Sequence, residues 1–132
     1  MIQITGFRQA SWQCIHFKMP ESIESLKIGL AEVGFLVNEL DSSSIIDDET
    51  LFSIVSDALN FPDYFGRNWN AMDECLADLD LSTSTGLVLI INNASYLWGN
   101  STYSAGKFVS AWQTAAERWG IEKKPFHLCF VV

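Results

Sequence analysis

The sequence predicts an α/β protein with a small, mostly parallel sheet of three or four strands and helices packed on it. Two segments, residues 87–91 and 126–132, are nearly continuous apolar runs, which is typical of strands covered on both faces. Other segments repeat apolar residues every three or four positions, as amphipathic helices do. Because strand and helix patterns alternate, we expect parallel strands joined by helical crossovers. The alternation leaves the strand order open.

The predicted elements follow one another along the whole chain. They are a strand at residues 12–17, a helix at 22–33, a strand at 35–40, helices at 48–59 and 68–79, a strand at 87–91, a helical turn at 94–99, a helix at 103–119 and a strand at 126–132. Asp47 and Asn68 are good N-cap residues for two of these helices. Gly34 and Gly120 are placed to end two others.

Length and composition predict a single domain over residues 1–132. The three cysteines, Cys14, Cys75 and Cys129, each lie in an apolar run, so we expect reduced, buried thiols and no disulfide framework. The first 19 residues lack the basic start and apolar core of a secretory signal, and the apolar runs are too short to span a bilayer. The sequence therefore predicts a soluble, cytoplasmic protein with no membrane partner.

Acidic residues are concentrated in one part of the chain. The net charge is −8, and residues 38–80 hold eleven acids against one base, Arg67, which gives −10 for that span. Phosphate binding requires Lys and Arg, so we expect no direct contact with nucleic acid. A concentrated negative field instead attracts a basic protein surface and speeds encounter. The alternative is a solvated acidic face that keeps the protein soluble.

An aromatic turn leads directly into a helix that carries carboxylates. Pro62 and Gly66 bracket Tyr64 and Phe65, and Gly66 can adopt a positive φ that other residues avoid. We expect at least one of the two rings to lie at an interface. The acids beside this turn are Asp63, Asp73, Glu74 and Asp78. Rigid aromatic area beside carboxylates is typical of a site that binds a basic, concave partner.

The spacing within this helix separates a polar face from an apolar one. Asn70, Asp73, Glu74 and Asp78 are expected on the face opposite Trp69, Met72, Leu76 and Leu79. Asp73 and Glu74 are adjacent, and adjacent helical side chains point about 100° apart, so they would not converge on one bond. No phosphate-binding loop, nucleophile elbow or metal-ligand spacing is present in the sequence. His16 and His127, each in a strand-like run, are expected to be structural.

The run Phe61-Pro62-Asp63-Tyr64-Phe65-Gly66-Arg67-Asn68-Trp69-Asn70-Ala71-Met72-Asp73-Glu74-Cys75-Leu76 resembles the barstar family of intracellular ribonuclease inhibitors. The order of the elements around it also agrees with that family. The resemblance covers residues 34–132, which we interpret as a barstar-like core. Residues 1–33 resemble the extra strand and helix that longer members carry.

The resemblance implies roles for individual residues. Tyr64 and Phe65 match the aromatic pair of the family's binding loop, Gly66 matches its glycine, and Asn68 matches the asparagine at the helix start. These positions are therefore expected to shape or contact the interface with a nuclease.

The helix departs from a well-studied member of the family at three positions. Asn70 stands where that inhibitor has an aspartate, and Asp73 stands where it has a tryptophan. Glu74 stands where it has the aspartate that enters the nuclease's phosphate site. A further interface acid on the long helix has no clear equivalent, because Ala115 and Ala116 occupy that neighbourhood and Glu117 is the nearest carboxylate.

The resemblance implies an inhibitor or immunity protein that occludes the basic active site of a ribonuclease toxin. We predict no catalytic residues, no metal and no cofactor, and we expect the free protein to be a monomer. The predicted partner-binding residues are Asp63, Tyr64, Phe65, Gly66, Asn68, Asn70, Asp73, Glu74 and Asp78. Two alternatives stay open: a small acidic hydrolase that uses the acidic span, and a barstar-like module that binds a partner other than a nuclease.

Overall fold

The computed structural model describes residues 4–10 and 13–132. Its centre is a parallel four-stranded sheet with the strand order β1-β4-β3-β2. The strands are β1 (Ile15–Lys18), β2 (Leu36–Asp41), β3 (Leu87–Asn92) and β4 (Phe126–Val131). The structure thus confirms the α/β prediction, and tertiary pairing supplies the strand order that the alternation left open.

Among the described residues, five α-helices cover the sheet unequally. They are α1 (Ile23–Glu32), α2 (Asp48–Leu59), α3 (Trp69–Ala77), α4 (Ala94–Asn100) and α5 (Thr102–Ile121), and two short 3-10 turns lie at Thr5–Phe7 and Pro20–Ser22. Helices α2 to α5 pack on one face, around Leu87, Leu89 and Phe126. Helix α1 and the turn with Phe7 pack on the other face, around Val88 and Ile90.

The position of each strand explains its sequence pattern. Strands β3 and β4 lie in the middle of the sheet, and every residue of β4 and all but the last of β3 are buried. Both faces of a central strand meet the core, so its sequence is apolar throughout. Strands β1 and β2 lie at the edges and contain few fully buried residues. Their sequences mix polar and apolar residues for this reason.

The helix starts follow the sequence predictions. The Asp47 carboxylate accepts a hydrogen bond from the Thr50 amide at 2.9 Å, and the Thr50 hydroxyl completes a capping box. The Asn68 side-chain oxygen accepts from the Ala71 amide at 2.8 Å. Both caps bind N–H groups of the first helical turn that have no intrahelical partner.

The helix ends differ from the predictions at one position. Gly34 ends α1 with a φ of 88° and the Phe35 amide bonds back to the Leu30 carbonyl at 3.0 Å. The prediction that Gly120 ends α5 is wrong, because that helix continues to Ile121. Lys123 takes the left-handed conformation instead, with a φ of 59°. A hydrogen-bonded closing turn can impose this conformation on a residue other than glycine.

The N-terminal segment is part of the sheet. Strand β1 pairs with β4 in the register Ile15 to Leu128. The strand begins three residues later than predicted, and Trp12, where the predicted strand starts, lies outside the described residues. Since β1 adds a pair to an already buried strand, residues 15–18 extend the sheet of the core.

Two histidines join this segment to the sheet. The His127 Nε2–H donates to the Gln9 carbonyl at 2.8 Å, which leaves His127 Nδ1 to accept from the His16 Nε2–H at 2.9 Å. The ring of Phe7 stacks on His16 with a centroid separation of 3.9 Å. Burial, together with His127 and Lys18 nearby, lowers the pKa of His16 from 6.5 to about 4. Both histidines have internal partners, as a structural role predicts.

Across residues 4–10 and 13–132, no helix combines the length and hydrophobicity needed to cross a membrane. The cysteines are all free thiols: Cys14 and Cys129 are buried, and Cys75 is half-buried.

Candidate functional site

The aromatic turn exposes only one of its two adjacent rings. Asn60 ends α2 in the left-handed conformation, and the Phe65 amide closes the turn on the Pro62 carbonyl at 2.9 Å. Tyr64 is 84% exposed, whereas Phe65 is half-buried and meets Phe61 edge to face at 5.1 Å between ring centroids. Phe65 therefore holds the turn on the core, and Tyr64 offers a ring that a partner can cover.

The positive φ of this turn falls on Arg67 rather than Gly66. Gly66 does not adopt the positive φ that glycine permits, and Arg67 has a φ of 50° instead. The Arg67 guanidinium donates to the Ser53 hydroxyl at 2.6 Å and lies 3.7 Å from the Glu49 carboxylate, so it ties the turn to α2. A Cβ atom on Gly66 would lie only 3.2 Å from the side-chain nitrogen of Asn68. Close approach to the helix cap thus favours glycine here.

Both the oxygen and the nitrogen of the Asn68 side-chain amide form hydrogen bonds that hold the turn. Its oxygen caps α3, and its nitrogen donates to the Gly66 carbonyl at 3.2 Å. Asn68 and Gly66 therefore hold the shape of the turn.

Four of the predicted acids have no internal partner. Among the described residues, the carboxylates of Asp63, Asp73, Glu74 and Asp78 make no hydrogen bond and no ion pair. Asp63, Glu74 and Asp78 are exposed and Asp73 is half-buried, while Asn70 lies exposed in the first turn of α3. These carboxylates therefore add no hydrogen bond or ion pair to the stability of the fold.

Helix α3 sends two of these acids to different sides. Glu74 and Asp78 line a groove of about 580 Å³, and Asp73 lines a separate cleft of about 300 Å³. The single polar face expected from the helical spacing is therefore divided into two surfaces. We name them the α3–β2 groove and the α3–α5 cleft.

The α3–β2 groove lies between α3, the aromatic turn and the amino end of β2. One wall is the turn with Tyr64, and the other is the C-terminal half of α3. The lining residues are Leu36, Asn38, Leu59, Asn60, Phe61, Pro62, Tyr64, Glu74, Cys75, Asp78, Leu79, Asp80 and Leu87. Three of them are acids and none is a base.

The α3–α5 cleft contains residues of α5 that the sequence pattern does not indicate. Trp69 and Asp73 face Lys107, Ser110, Ala111 and Thr114 of α5. Ala115 and Ala116 are buried, so Thr114, rather than either alanine, borders the cleft. Only the burial pattern of α5 reveals which of its residues borders the cleft, because the sequence does not show which side of the long helix meets α3.

Lys107 places a positive charge in the lining of the α3–α5 cleft. Its ammonium lies 4.4 Å from the centroid of the Tyr103 ring and 3.5 Å from the Asp48 carboxylate. Asp48 thus balances Lys107 locally.

Asp48, at the start of α2, joins three helices. Its carboxylate accepts from the Ser104 hydroxyl at 2.6 Å and from the Trp69 indole N–H at 3.1 Å. These hydrogen bonds, led by that of Ser104, and the nearby Lys107 lower the pKa of Asp48. We call Asp48, Trp69, Ser104 and Lys107 the α2–α3–α5 junction.

Acids beyond the junction are also engaged. Glu39 accepts from the Asn92 side chain at 2.9 Å and from Lys27 at 3.0 Å, and Asp41 accepts from the Asn93 side chain at 2.9 Å. These bonds lower the pKa of both carboxyls, with the asparagine partner as the largest cause in each case. The acidic span therefore contains paired carboxylates that support the fold and unpaired ones around α3.

The fold and this surface define a class: a small parallel α/β protein with unpaired carboxylates and an exposed aromatic ring around one helix. Residues 35–131 match the family described as Barstar (barnase inhibitor). The chain belongs to the barstar family, as a longer member in which β1 and α1 precede the matched region. No curated protein sequence matches the chain.

Proposed function

We propose that this protein is an inhibitor, or immunity protein, that binds a ribonuclease toxin and occludes its basic active site. The observation that carries the proposal is the set of unpaired carboxylates, Asp63, Asp73, Glu74 and Asp78, beside the exposed ring of Tyr64. Family membership supports it, since the family is described as barnase inhibitors.

The chemistry of a nuclease active site fits this surface. A site that holds phosphates presents Lys, Arg and His, and carboxylates on a rigid helix offer the same negative charge without a cleavable bond. A partner that covers Glu74 and Tyr64 would combine charge-assisted hydrogen bonds with aromatic anchor area. The barnase–barstar pair is the standard example of such charged hot spots, and we take only the logic from it.

A non-catalytic role accords with the geometry of the acids. Asp73 and Glu74 line separate surfaces, so the two carboxylates do not converge on one substrate bond. We therefore propose that the protein acts by binding, as a free monomer in the cytoplasm, without metal, cofactor or nucleic acid. The contact set consists of Asp63, Tyr64, Phe65, Gly66, Asn68, Asn70, Asp73, Glu74 and Asp78, in which Phe65, Gly66 and Asn68 position the others.

The test is capture of a partner followed by an inhibition assay. Tagged wild-type protein is compared with the Tyr64→Ala, Glu74→Lys variant in a lysate of the native producer. The control variant is Tyr96→Ala, Glu32→Lys, which changes an exposed tyrosine and an exposed acid elsewhere on the surface. Bound proteins are identified by mass spectrometry, and their RNA cleavage is measured with and without the inhibitor.

We expect wild type and control to capture a basic nuclease and stop its cleavage, and the site variant to do neither. Association should slow as salt concentration rises, because screening weakens the attraction between opposite charges. A nuclease that binds all three proteins equally would move the interface away from α3. A partner without nuclease activity would favour the module that binds something else.

A further inference from the structure

The α3–α5 cleft is lined by one acid and one base from two different helices. Asp73 comes from α3 and Lys107 from α5, and no other residue of the lining is charged. The two charges cancel, although the surrounding span of residues 38–80 is strongly acidic. The occupant of this cleft is therefore selected by two opposite charges and not by the overall negative field of the protein.

Asp73 is the unsatisfied acid of the cleft. Its side chain is half-buried, and its carboxylate makes no hydrogen bond or ion pair among the described residues. The indole N–H of Trp69 is already donated to Asp48, and Ala111 has no polar side chain. A carboxylate that loses water without gaining a donor costs free energy, so an occupant must bring an N–H or O–H group to Asp73.

Lys107 retains a donor for an occupant. Its ammonium carries three N–H groups. The ammonium lies 3.5 Å from the Asp48 carboxylate and 4.4 Å from the centroid of the Tyr103 ring. If each of these two neighbours engages one N–H group, the third is left for an acceptor that enters the cleft.

Asp73 and Lys107 together favour an uncharged occupant that has both a donor and an acceptor. A cation would be attracted by Asp73 and repelled by Lys107, and an anion would meet the reverse. A carboxamide is neutral, donates through its NH2 group and accepts through its oxygen. Its apolar stem would cover the ring of Trp69 and the methyl group of Ala111, and a cleft of about 300 Å³ has room for one such side chain.

We propose that the α3–α5 cleft receives a glutamine or asparagine side chain from the protein partner. The amide NH2 group donates to Asp73, and the amide oxygen accepts from Lys107. Asp73 and Lys107 are thereby specificity residues of the interface. Asp73 stands where a well-studied member of the family has a tryptophan, so this specificity is a property of this chain. The inference rests on the proposed function only in that the carboxamide belongs to the inhibited nuclease.

The experiment uses short peptides, so that it needs no identified nuclease. The probe is acetyl-Gly-Gln-Gly-N-methylamide, in which glutamine holds the only primary carboxamide. Three control peptides replace glutamine by glutamate, lysine or leucine, and the leucine peptide tests the backbone alone. Binding is followed at neutral pH by backbone amide chemical shifts of the full-length protein and by the indole N–H signal of Trp69. We expect saturable shifts at residues 69–73 and 107–114 with the glutamine peptide, and about tenfold weaker binding of each control, because each loses a hydrogen bond to a charged group.

Two variants should switch the preference among the peptides. Asp73→Asn keeps the size of the side chain and leaves Lys107 as the single charge, so the glutamine peptide should bind about tenfold more weakly and the glutamate peptide should bind better than the lysine peptide. Lys107→Met leaves Asp73 as the single charge, so the lysine peptide should bind better than the glutamate peptide. The control Glu32→Gln removes an exposed charge outside the cleft and should bind like wild type. The dispersed amide spectrum of each variant verifies that it is folded.

The outcomes separate the two proposals. An absence of saturable shifts at the cleft with the glutamine peptide, equal binding of the leucine peptide, or an unchanged order of the peptides in both variants would overturn the carboxamide site. Selective glutamine binding in the cleft by a protein that inhibits no captured nuclease would keep the carboxamide site and reject the proposed function. Nuclease inhibition that is as strong in Asp73→Asn and Lys107→Met as in wild type would keep the function and reject the cleft as a contact.

Discussion

The α2–α3–α5 junction and the α3–β2 groove draw their acids from the same acidic span but use them differently. At the junction, Asp48 accepts hydrogen bonds from two helices and balances Lys107. In the groove, Glu74 and Asp78 have no partner among the described residues. Composition therefore does not distinguish a carboxylate that holds the fold from one that is available to a partner.

The aromatic turn repeats this difference between neighbours in sequence. Phe65 packs against Phe52 and Phe61, while Tyr64 extends into solvent. Four predictions follow the distinction between engaged and free side chains, in decreasing order of expected effect.

The largest effect should come from Glu74, the free acid that marks the groove. Glu74→Ala should weaken the complex with the nuclease by about 2–5 kcal/mol if the carboxylate is covered by a cation. The free energy of unfolding should change by less than about 0.5 kcal/mol, because no internal contact is lost. Titration calorimetry measures the first quantity and urea unfolding the second. The exposed acid Glu32, changed to Ala, is the control and should alter neither quantity.

The next effect concerns pH and the pair His16 and His127. The pKa of His16 is lowered to about 4 by burial first, so between pH 6.5 and 4 the unfolded chain binds a proton that the folded protein excludes. The free energy of unfolding should therefore have its full value above about pH 6.5 and fall by about 2–3 kcal/mol as the pH approaches 4. His16→Gln should flatten this part of the curve, measured by urea unfolding at several pH values. An unchanged slope would assign the loss to other groups.

The two aromatic neighbours should respond in opposite ways. Phe65→Ala should lower the free energy of unfolding by about 2 kcal/mol, less than for a fully buried ring, because part of its surface is exposed. Tyr64→Ala should leave stability within about 0.5 kcal/mol of wild type but weaken the complex by about 2 kcal/mol. Thermal unfolding and calorimetry on the same two variants give both values. Equal stability losses would contradict the division of roles.

The smallest effect should be at the junction. Asp48→Asn keeps the size of the side chain but removes the negative charge that Ser104, Trp69 and Lys107 contact. The free energy of unfolding should fall by about 1–2 kcal/mol, a loss that solvent exposure reduces. Since the pKa of Asp48 is lowered on folding, its contribution is present above the ordinary carboxyl range and is lost as the pH falls through the folded value. Unfolding at pH 7 and pH 2.5 should show the variant and wild type converging. Persistent separation at pH 2.5 would point to packing instead.

Local sequence signals predicted much of the fold. The apolar runs of β3 and β4, the caps at Asp47 and Asn68, and the end of α1 at Gly34 all depend on residues close together in the chain. The end of α5 was missed because the left-handed residue of its closing turn is Lys123 and not a glycine. Hydrogen bonds to the carbonyls of Trp119 and Gly120 hold this turn. The candidate site was predicted as a set of residues, but its division into groove and cleft was not.

The sequence by itself determined that this chain alternates strands and helices, concentrates its negative charge in one span and carries a barstar-family motif. These properties depend on residues that are close together in the chain, within one or two helical turns of each other. Only the tertiary structure decided which acids are paired, since Asp48 meets Ser104 across 56 positions of the chain. It also decided that Phe65 turns inward and Tyr64 outward, because the burial of a ring depends on which distant side chains pack beneath it.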